Sequence, residues 1–230
     1  MQKTITAVVL LIAAAIAYEP PSWVNLGNLD WGKLVYDIVE IPSNGWLLAC
    51  GQRDYGNQHQ CIWRSTDRGV SWSHVLTSTH DNTQFMQMQF DGFSRVWAVG
   101  WYGGAEALAY SADNGGTWTF VTGPPSSPTY NGCALQVVGN YLYFGGVVAS
   151  PYSIALYRLN VVNMQWEMVV QYPQCNAIAR LKYYNGRLLV FCRDMTTSAI
   201  RVFSYTPSDL DAKAVPVGFA ETRPAAAVQD

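Results

Sequence analysis

Gly45-Trp-Leu-Leu-Ala-Cys-Gly51, Ser94-Arg-Val-Trp-Ala-Val-Gly100, Asn140-Tyr-Leu-Tyr-Phe-Gly-Gly146 and Gly186-Arg-Leu-Leu-Val-Phe-Cys192 are four versions of one segment, a turn followed by an apolar, aromatic run. Their starts lie 49, 46 and 46 residues apart. Each is preceded by a further strand-like stretch: Tyr36 to Ile41, Phe85 to Phe90, Ala134 to Val138 and Ala177 to Tyr183. Every repeat therefore opens with a β-hairpin. Asn44-Gly45 and Asn185-Gly186 add strong turn signals, because a two-residue type I′ turn needs positive φ at both positions. A second register repeats the period: Trp23, Trp72, Trp118 and Trp166 follow one another at 49, 46 and 48 residues, each starting a short run such as Trp72-Ser-His-Val-Leu76.

A unit of about 47 residues holding four short strands is the size of one propeller blade. The expected fold is all-β, a small β-propeller of about four four-stranded blades, preceded by a short hydrophobic N-terminal segment. The propeller domain spans residues 18–219, with units at about 28–77, 78–123, 124–171 and 172–219. Trp23 precedes the first hairpin, so the stretch Ser22 to Leu26 is a candidate closing strand for the last blade. Ala214 to Phe219 competes for the same place, and both stay open. Residues 220–230, with their Arg-Pro-Ala-Ala-Ala run, read as a flexible tail.

Composition agrees with sheet and polar loops. The chain has 230 residues, 13% of them charged and 13% aromatic, against about 25% charged in an ordinary domain. Its formal charge is −2, and a groove that neutralises several phosphates needs a surplus of Lys and Arg, so nucleic acid is excluded as a partner.

Met1-Gln2-Lys3 leads into an apolar stretch from Ile5 to Ala17 that ends Ala15-Ile16-Ala17. One basic residue, a short apolar run and an A-x-A end describe a secretory signal peptide. The competing reading for residues 1–17 is a retained hydrophobic segment, and only then is a membrane a partner. As a helix, Ile5 to Ala17 spans about 20 Å, short of a roughly 30 Å hydrocarbon core. The expected location is secreted or at the extracellular surface. Five cysteines in an exported chain read first as disulfides. Cys50 and Cys61 flank the turn-like Tyr55-Gly56-Asn57 and form the expected pair; the pairing of Cys133, Cys175 and Cys192 stays open, with Cys133 and Cys175 in similar places of neighbouring repeats. His59, His74 and His80 form no spaced ligand set, so no metal and no cofactor are expected.

Two segments in phase with the repeat carry a motif: Ser65-Thr-Asp67-Arg-Gly69-Val-Ser71-Trp72 and Ser111-Ala-Asp113-Asn-Gly115-Gly-Thr117-Trp118. An Asp in a tight turn accepts hydrogen bonds from nearby backbone N–H groups. Gly supplies the unusual φ, the hydroxyls add short-range bonds and Trp buries its ring. The pattern S-x-D-x-G-x-[TS]-W resembles the Asp-box (BNR-like) repeat family, found in sialidase-type and photosystem II stability factor-type propellers. The resemblance implies a propeller whose Asp boxes stabilise hairpins away from the ligand face, so Ser65, Asp67, Gly69, Trp72, Ser111, Asp113, Gly115 and Trp118 are expected to be structural. The third unit keeps Trp166 without the Asp and Gly, and Ser204 to Asp211 keeps almost nothing.

A sialidase needs three arginines on a carboxylate, a Tyr nucleophile with a Glu partner, and an acid Asp; members of the resembled family with that activity add an Arg-Ile-Pro motif and six blades. The nearest tripeptide here is Glu40-Ile41-Pro42. No catalytic residue is therefore assigned. The candidate ligand face collects the loops after the second strands, with Arg53, Asp54 and Tyr55 in unit one, Trp101 and Tyr102 in unit two, and Arg193 and Asp194 in unit four. These features predict a non-catalytic, exported or cell-surface propeller, a binding or structural module for a protein or a glycan, or a self-assembling surface subunit. Two alternatives stand beside it: a carbohydrate-binding or sialidase-like glycoside hydrolase, and a membrane-tethered or filament subunit using residues 5–17 as a hydrophobic tail.

Overall fold

The computed structural model describes residues 32–53, 59–77, 84–101, 108–124, 134–149 and 152–207. The segment 1–17, both candidate closing strands, Cys133 and the tail lie outside them. The described residues form four antiparallel sheets, each a meander in chain order. The first holds β1 (Gly32–Ile41), β2 (Trp46–Arg53), β3 (Gln60–Ser65) and β4 (Ser73–Thr77). The second holds β5 (Gln84–Phe90), β6 (Val96–Trp101), β7 (Leu108–Ser111) and β8 (Thr119–Phe120). The third holds β9 (Ala134–Val138), β10 (Tyr141–Ala149), β11 (Tyr152–Asn160) and β12 (Gln165–Tyr172). The fourth has three strands among the described residues, β13 (Cys175–Tyr184), β14 (Arg187–Asp194) and β15 (Ile200–Tyr205), where a four-stranded blade was expected.

Sheets stack face to face in sequence, which explains why the strands read as near-continuous apolar runs rather than clean alternations. Leu48, Cys50 and Ile62 of the first sheet meet Phe85, Met88 and Ala98 of the second. Trp97, Val99 and Leu108 of the second meet Leu135, Leu142 and Phe144 of the third. Tyr143, Ile154 and Leu156 of the third meet Ile178, Leu188 and Val190 of the fourth. The two outer flanks of this series keep exposed apolar side chains, Ile38 on the first sheet and Ile200 and Val202 on the fourth.

The first strands β1, β5, β9 and β13 pack successively on one another and mark a common axis. Each is an edge strand of its own sheet, so half of its backbone groups face away from the ladder and need partners. Side chains of the preceding sheet supply them. Asp37 accepts from the Met88 N–H at 2.9 Å. Gln87 donates to the Leu135 carbonyl at 3.0 Å and accepts from the Leu135 N–H at 3.1 Å. Gln89 accepts from the Val137 N–H at 2.9 Å, and Gln136 from the Tyr183 N–H at 3.0 Å. Sequence reasoning missed this chain of bonds, although Gln89 and Gln136 lie in phase with the repeat.

Three local expectations meet the structure differently. Asn185 and Gly186 both have positive φ, 54° and 77°, as a two-residue type I′ hairpin requires. At Asn44-Gly45 only Gly45 does, and Ile41 pairs with Trp46 across a four-residue loop. Pro42 accounts for the difference, because its fixed φ near −65° suits an early position of an ordinary turn. The Cys50–Cys61 disulfide is corrected: Cys50 stands opposite Ile62 and Cys61 opposite Gly51, and the two buried sulfurs are not bonded to each other. That single-residue offset sends the two sulfurs to opposite faces of the sheet, Cys50 toward the second sheet and Cys61 beside Ala49 and Trp63.

Candidate functional site

The meander gives the molecule two ends. At one lie the hairpin turns between first and second strands and the turns between third and fourth strands. At the other, second strands finish and third strands begin. The two motif turns, between β3 and β4 and between β7 and β8, belong to the first end; Arg53, Trp101 and Asp194, each the last residue of a second strand, belong to the other.

In the first motif turn, Ser65 Oγ donates to Asp67 Oδ1 at 2.8 Å and accepts from the Gly69 N–H at 2.7 Å. Asp67 also receives the Ser71 N–H at 2.8 Å and the Ser71 hydroxyl. The second turn repeats this: Ser111 Oγ to Asp113 at 2.8 Å, Gly115 N–H to Ser111 at 2.8 Å, and Thr117 N–H and hydroxyl to Asp113, each at 2.8 Å. Gly69 and Gly115 take φ of 91° and 80°. A Cβ on Gly115 would also sit 2.5 Å from Leu48 Cδ2, so this turn rests on the first sheet.

The Ser71 hydroxyl and N–H, with the Ser65 hydroxyl, hold the Asp67 carboxyl down at about 2. At Asp113 desolvation pushes upward, but the Thr117 N–H and the Ser111 and Thr117 hydroxyls outweigh it and leave the group at about 2. Both carboxylates are thus fully engaged in closing their own turns, which leaves them no capacity as acid or base. The third sheet reaches the same end with an amide: Asn160 Oδ1 accepts from the Val162 N–H at 2.9 Å and the Asn163 N–H at 3.3 Å, and Met164 takes φ of 58°.

At the opposite end the structure separates the candidate ligand residues. Asp54, Tyr55 and Tyr102 lie outside the described residues, and so do the side chains of Arg53 and Trp101. Arg193 is exposed, with a 3.4 Å hydrogen bond to Ser198 Oγ. Asp194 is buried, at 1% exposure. It accepts from the N–H groups of Thr196 at 2.8 Å and Thr197 at 2.7 Å and pairs with Arg201. The Thr197 N–H, above all, keeps its carboxyl below the ordinary range. Asp194 therefore shapes the loop that presents Arg193 rather than meeting a ligand itself.

Two concavities lie on the described surface. A groove of about 500 Å³ between the second and third sheets is lined by Tyr110, Phe120, Met164 and Trp166, with Thr119 and Thr122 beside them. Trp166 is fixed in it by its indole N–H, which donates to the Thr122 carbonyl at 2.8 Å. Aromatic faces next to hydroxyls suit an amphipathic ligand such as a sugar ring. A smaller pocket of about 270 Å³ lies near the axis, between Gln89, Asp91, Gln136 and Lys182. Among the described residues no cluster of His, Cys, Asp and Glu is arranged to hold a metal, and no helix is long and apolar enough to cross a membrane.

Four successive antiparallel sheets stacked about a line of first strands define a small β-propeller-like fold. Comparison with solved structures agrees: an ancestral GH74 enzyme matches with a TM-score of 0.54 at 16% identity, covering 76% of this chain and 26% of that one. The GH74 enzyme of Niastella koreensis matches with a TM-score of 0.50 at 16% identity, covering 73% and 30%. Among curated sequences a xyloglucanase from a Paenibacillus species is 24% identical over 176 residues. The match takes in 66% of this chain and 17% of that protein, so the chain spans about a sixth of its relative's length. No family profile matches.

These relatives overturn two expectations, that the chain is a non-catalytic interaction module and that it is not an enzyme: the sequence relative is a glycoside hydrolase, and the propeller enzymes share its fold. The physical reason is plain. The missing Arg-Ile-Pro tripeptide speaks against one glycosidase chemistry, that of sialic acid, whereas neutral polysaccharides carry no carboxylate to grip. The carbohydrate-active alternative takes the lead.

Proposed function

We propose that this chain is a carbohydrate-active propeller of the glycoside hydrolase type, which binds a neutral β-linked polysaccharide such as xyloglucan and takes part in its cleavage. The observation that carries the reading is the 24% identity to a xyloglucanase over 176 residues. The composition supports it: few charges and many aromatic and hydroxyl residues suit an uncharged polymer, which offers apolar ring faces and hydroxyls. The polysaccharide lies across the end where the second strands finish at Arg53, Trp101 and Asp194, with Arg193 exposed beside Asp194, which holds its loop in shape; the sequence adds Asp54, Tyr55 and Tyr102, next in the chain, as candidate contacts. The turns at 65–72 and 111–118 act as Asp boxes at the opposite end, and the protein works outside the cell, where such polymers occur.

Glycosidic cleavage requires two carboxyl groups on either side of the bond. The test is direct: incubate the chain with xyloglucan, mixed-linkage β-glucan and a charged pectin, and measure reducing ends together with retardation in polysaccharide-containing gels. Retardation by the neutral glucans with release of reducing ends supports the reading. Neither effect on any neutral polymer overturns it.

A further inference from the structure

Cys175 opens β13 and Cys192 lies two residues from the end of β14, in the first two strands of the fourth sheet. Cys175 is opposite Asp194, and Ile178 is opposite Cys192. The register shifts between Cys175 and Ala177, where β13 carries one extra residue. That bulge turns Cys175 onto the face Cys192 occupies. Both are free thiols at 0% exposure in the core shared with the third sheet, on one face of neighbouring strands, and the Cys192 thiol donates to the Val190 carbonyl at 4.0 Å. The other described cysteines, Cys50 and Cys61, stand on opposite faces of the first sheet.

We propose that Cys175 and Cys192 are joined by a disulfide that staples β13 to β14, made by exchange with a small-molecule disulfide of the glutathione class. Closing the bond requires the sulfurs to approach to about 2.05 Å, and the register places the two side chains diagonally on one face of paired strands. One thiolate attacks oxidised glutathione, expelling one glutathione thiolate and forming a mixed disulfide. The second thiolate attacks the protein sulfur of that mixed disulfide and expels the other glutathione. Two protein thiols lose two protons and two electrons, and one oxidised glutathione becomes two reduced ones.

The surroundings set the timing. Burial, and then the neighbouring sulfur, push the Cys192 thiol up to about 12; burial raises Cys175 as well. Thiols so protonated are poor nucleophiles in the closed sheet. The exchange therefore runs while the sheet is open during folding, and the closed sheet then shields the bond from reductant. The staple sits where cover is thinnest, since Ile200 and Val202 of the adjoining β15 are exposed.

The test refolds the full chain from denaturant and reductant in a glutathione redox buffer, alkylates free thiols, and maps tryptic peptides without reduction. The expected species joins Leu159–Arg180 to Leu188–Arg193 and disappears on reduction, and of the five cysteines three are alkylated. The oxidised protein melts about 5–10 °C above the reduced one, as expected for a loop of this length in a domain of this size, and Cys192→Ser abolishes the difference. Linkage of either residue to Cys50, Cys61 or Cys133, or five alkylated cysteines after refolding, overturns the proposal. The peptide map uses the unaltered chain, so the result stands even if Cys192→Ser folds poorly.

Discussion

Replacing Gln87 by Leu removes one side chain that satisfies two buried backbone groups of the next sheet. Gln87 is 7% exposed and Leu135 is at 0%. The amide donates to the Leu135 carbonyl and accepts from its N–H. Leucine fills nearly the same volume, so the cavity term is small and the cost is that of two orphaned groups, about 1–3 kcal/mol each. Allowing for partial relaxation toward water, the expected loss is about 2–4 kcal/mol. Urea unfolding followed by tryptophan fluorescence should show the midpoint falling by about 1–2 M with the slope unchanged. Gln87→Glu refines the test. A carboxylate still accepts from the N–H but must be protonated to donate to the carbonyl. Its folded pKa is therefore raised above the unfolded value of about 4.3. The stabilising contact is complete below that value and lost as pH rises through the folded pKa, so the variant lies closer to wild type at pH 4 than at pH 7. A loss below about 0.5 kcal/mol for Gln87→Leu would refute the idea that side chains of one sheet satisfy the first strand of the next.

Three other perturbations probe the turns and the stacking. Ser111→Ala strands the buried Gly115 N–H and should cost about 1–3 kcal/mol in the same unfolding assay. The Asp67 and Asp113 carboxyls lie at about 2 in the folded protein, below the ordinary 3.8. Their contribution is present above the unfolded value and lost as pH falls toward 2, so the double Asp→Asn variant should lose less stability than wild type across that acid window. Gly145→Ala would place a Cβ 2.7 Å from Ile178 Cγ2 at the contact of the third and fourth sheets. It should cost about 1–3 kcal/mol, and pairing it with Ile178→Val should recover part of the loss in a double-mutant cycle.

The four sheets were legible in the primary structure because stacking buries both faces of the inner two and one face of the outer two, so strands become rich in apolar residues and the repeat stands out. The stretch Ala134 to Val138 is β9 itself. The Ser65 and Ser111 turns were legible too, since their hydrogen bonds are made within eight residues. Contacts set by register were not. The spacing of Cys50 and Cys61 suggested opposition, but a one-residue offset across a longer connection reverses the face. The Cys175 and Cys192 contact depends on a bulge that composition does not announce. Gln87, Gln89 and Gln136 read as ordinary polar residues of a strand, yet they bond the backbone of the neighbouring sheet. Function was less legible for a different reason: the absence of an Arg-Ile-Pro tripeptide speaks only to sialic acid, and a neutral glycan requires no such charged signature, so the glycoside hydrolase reading stood only as an alternative.

The claim that this propeller engages a neutral polysaccharide is tested most directly by affinity electrophoresis of the folded chain in gels containing soluble xyloglucan, with a charged pectin as control. The account predicts retardation that grows with xyloglucan concentration, is absent in pectin, and is lost on thermal unfolding. Equal mobility in both gels at every concentration would contradict it.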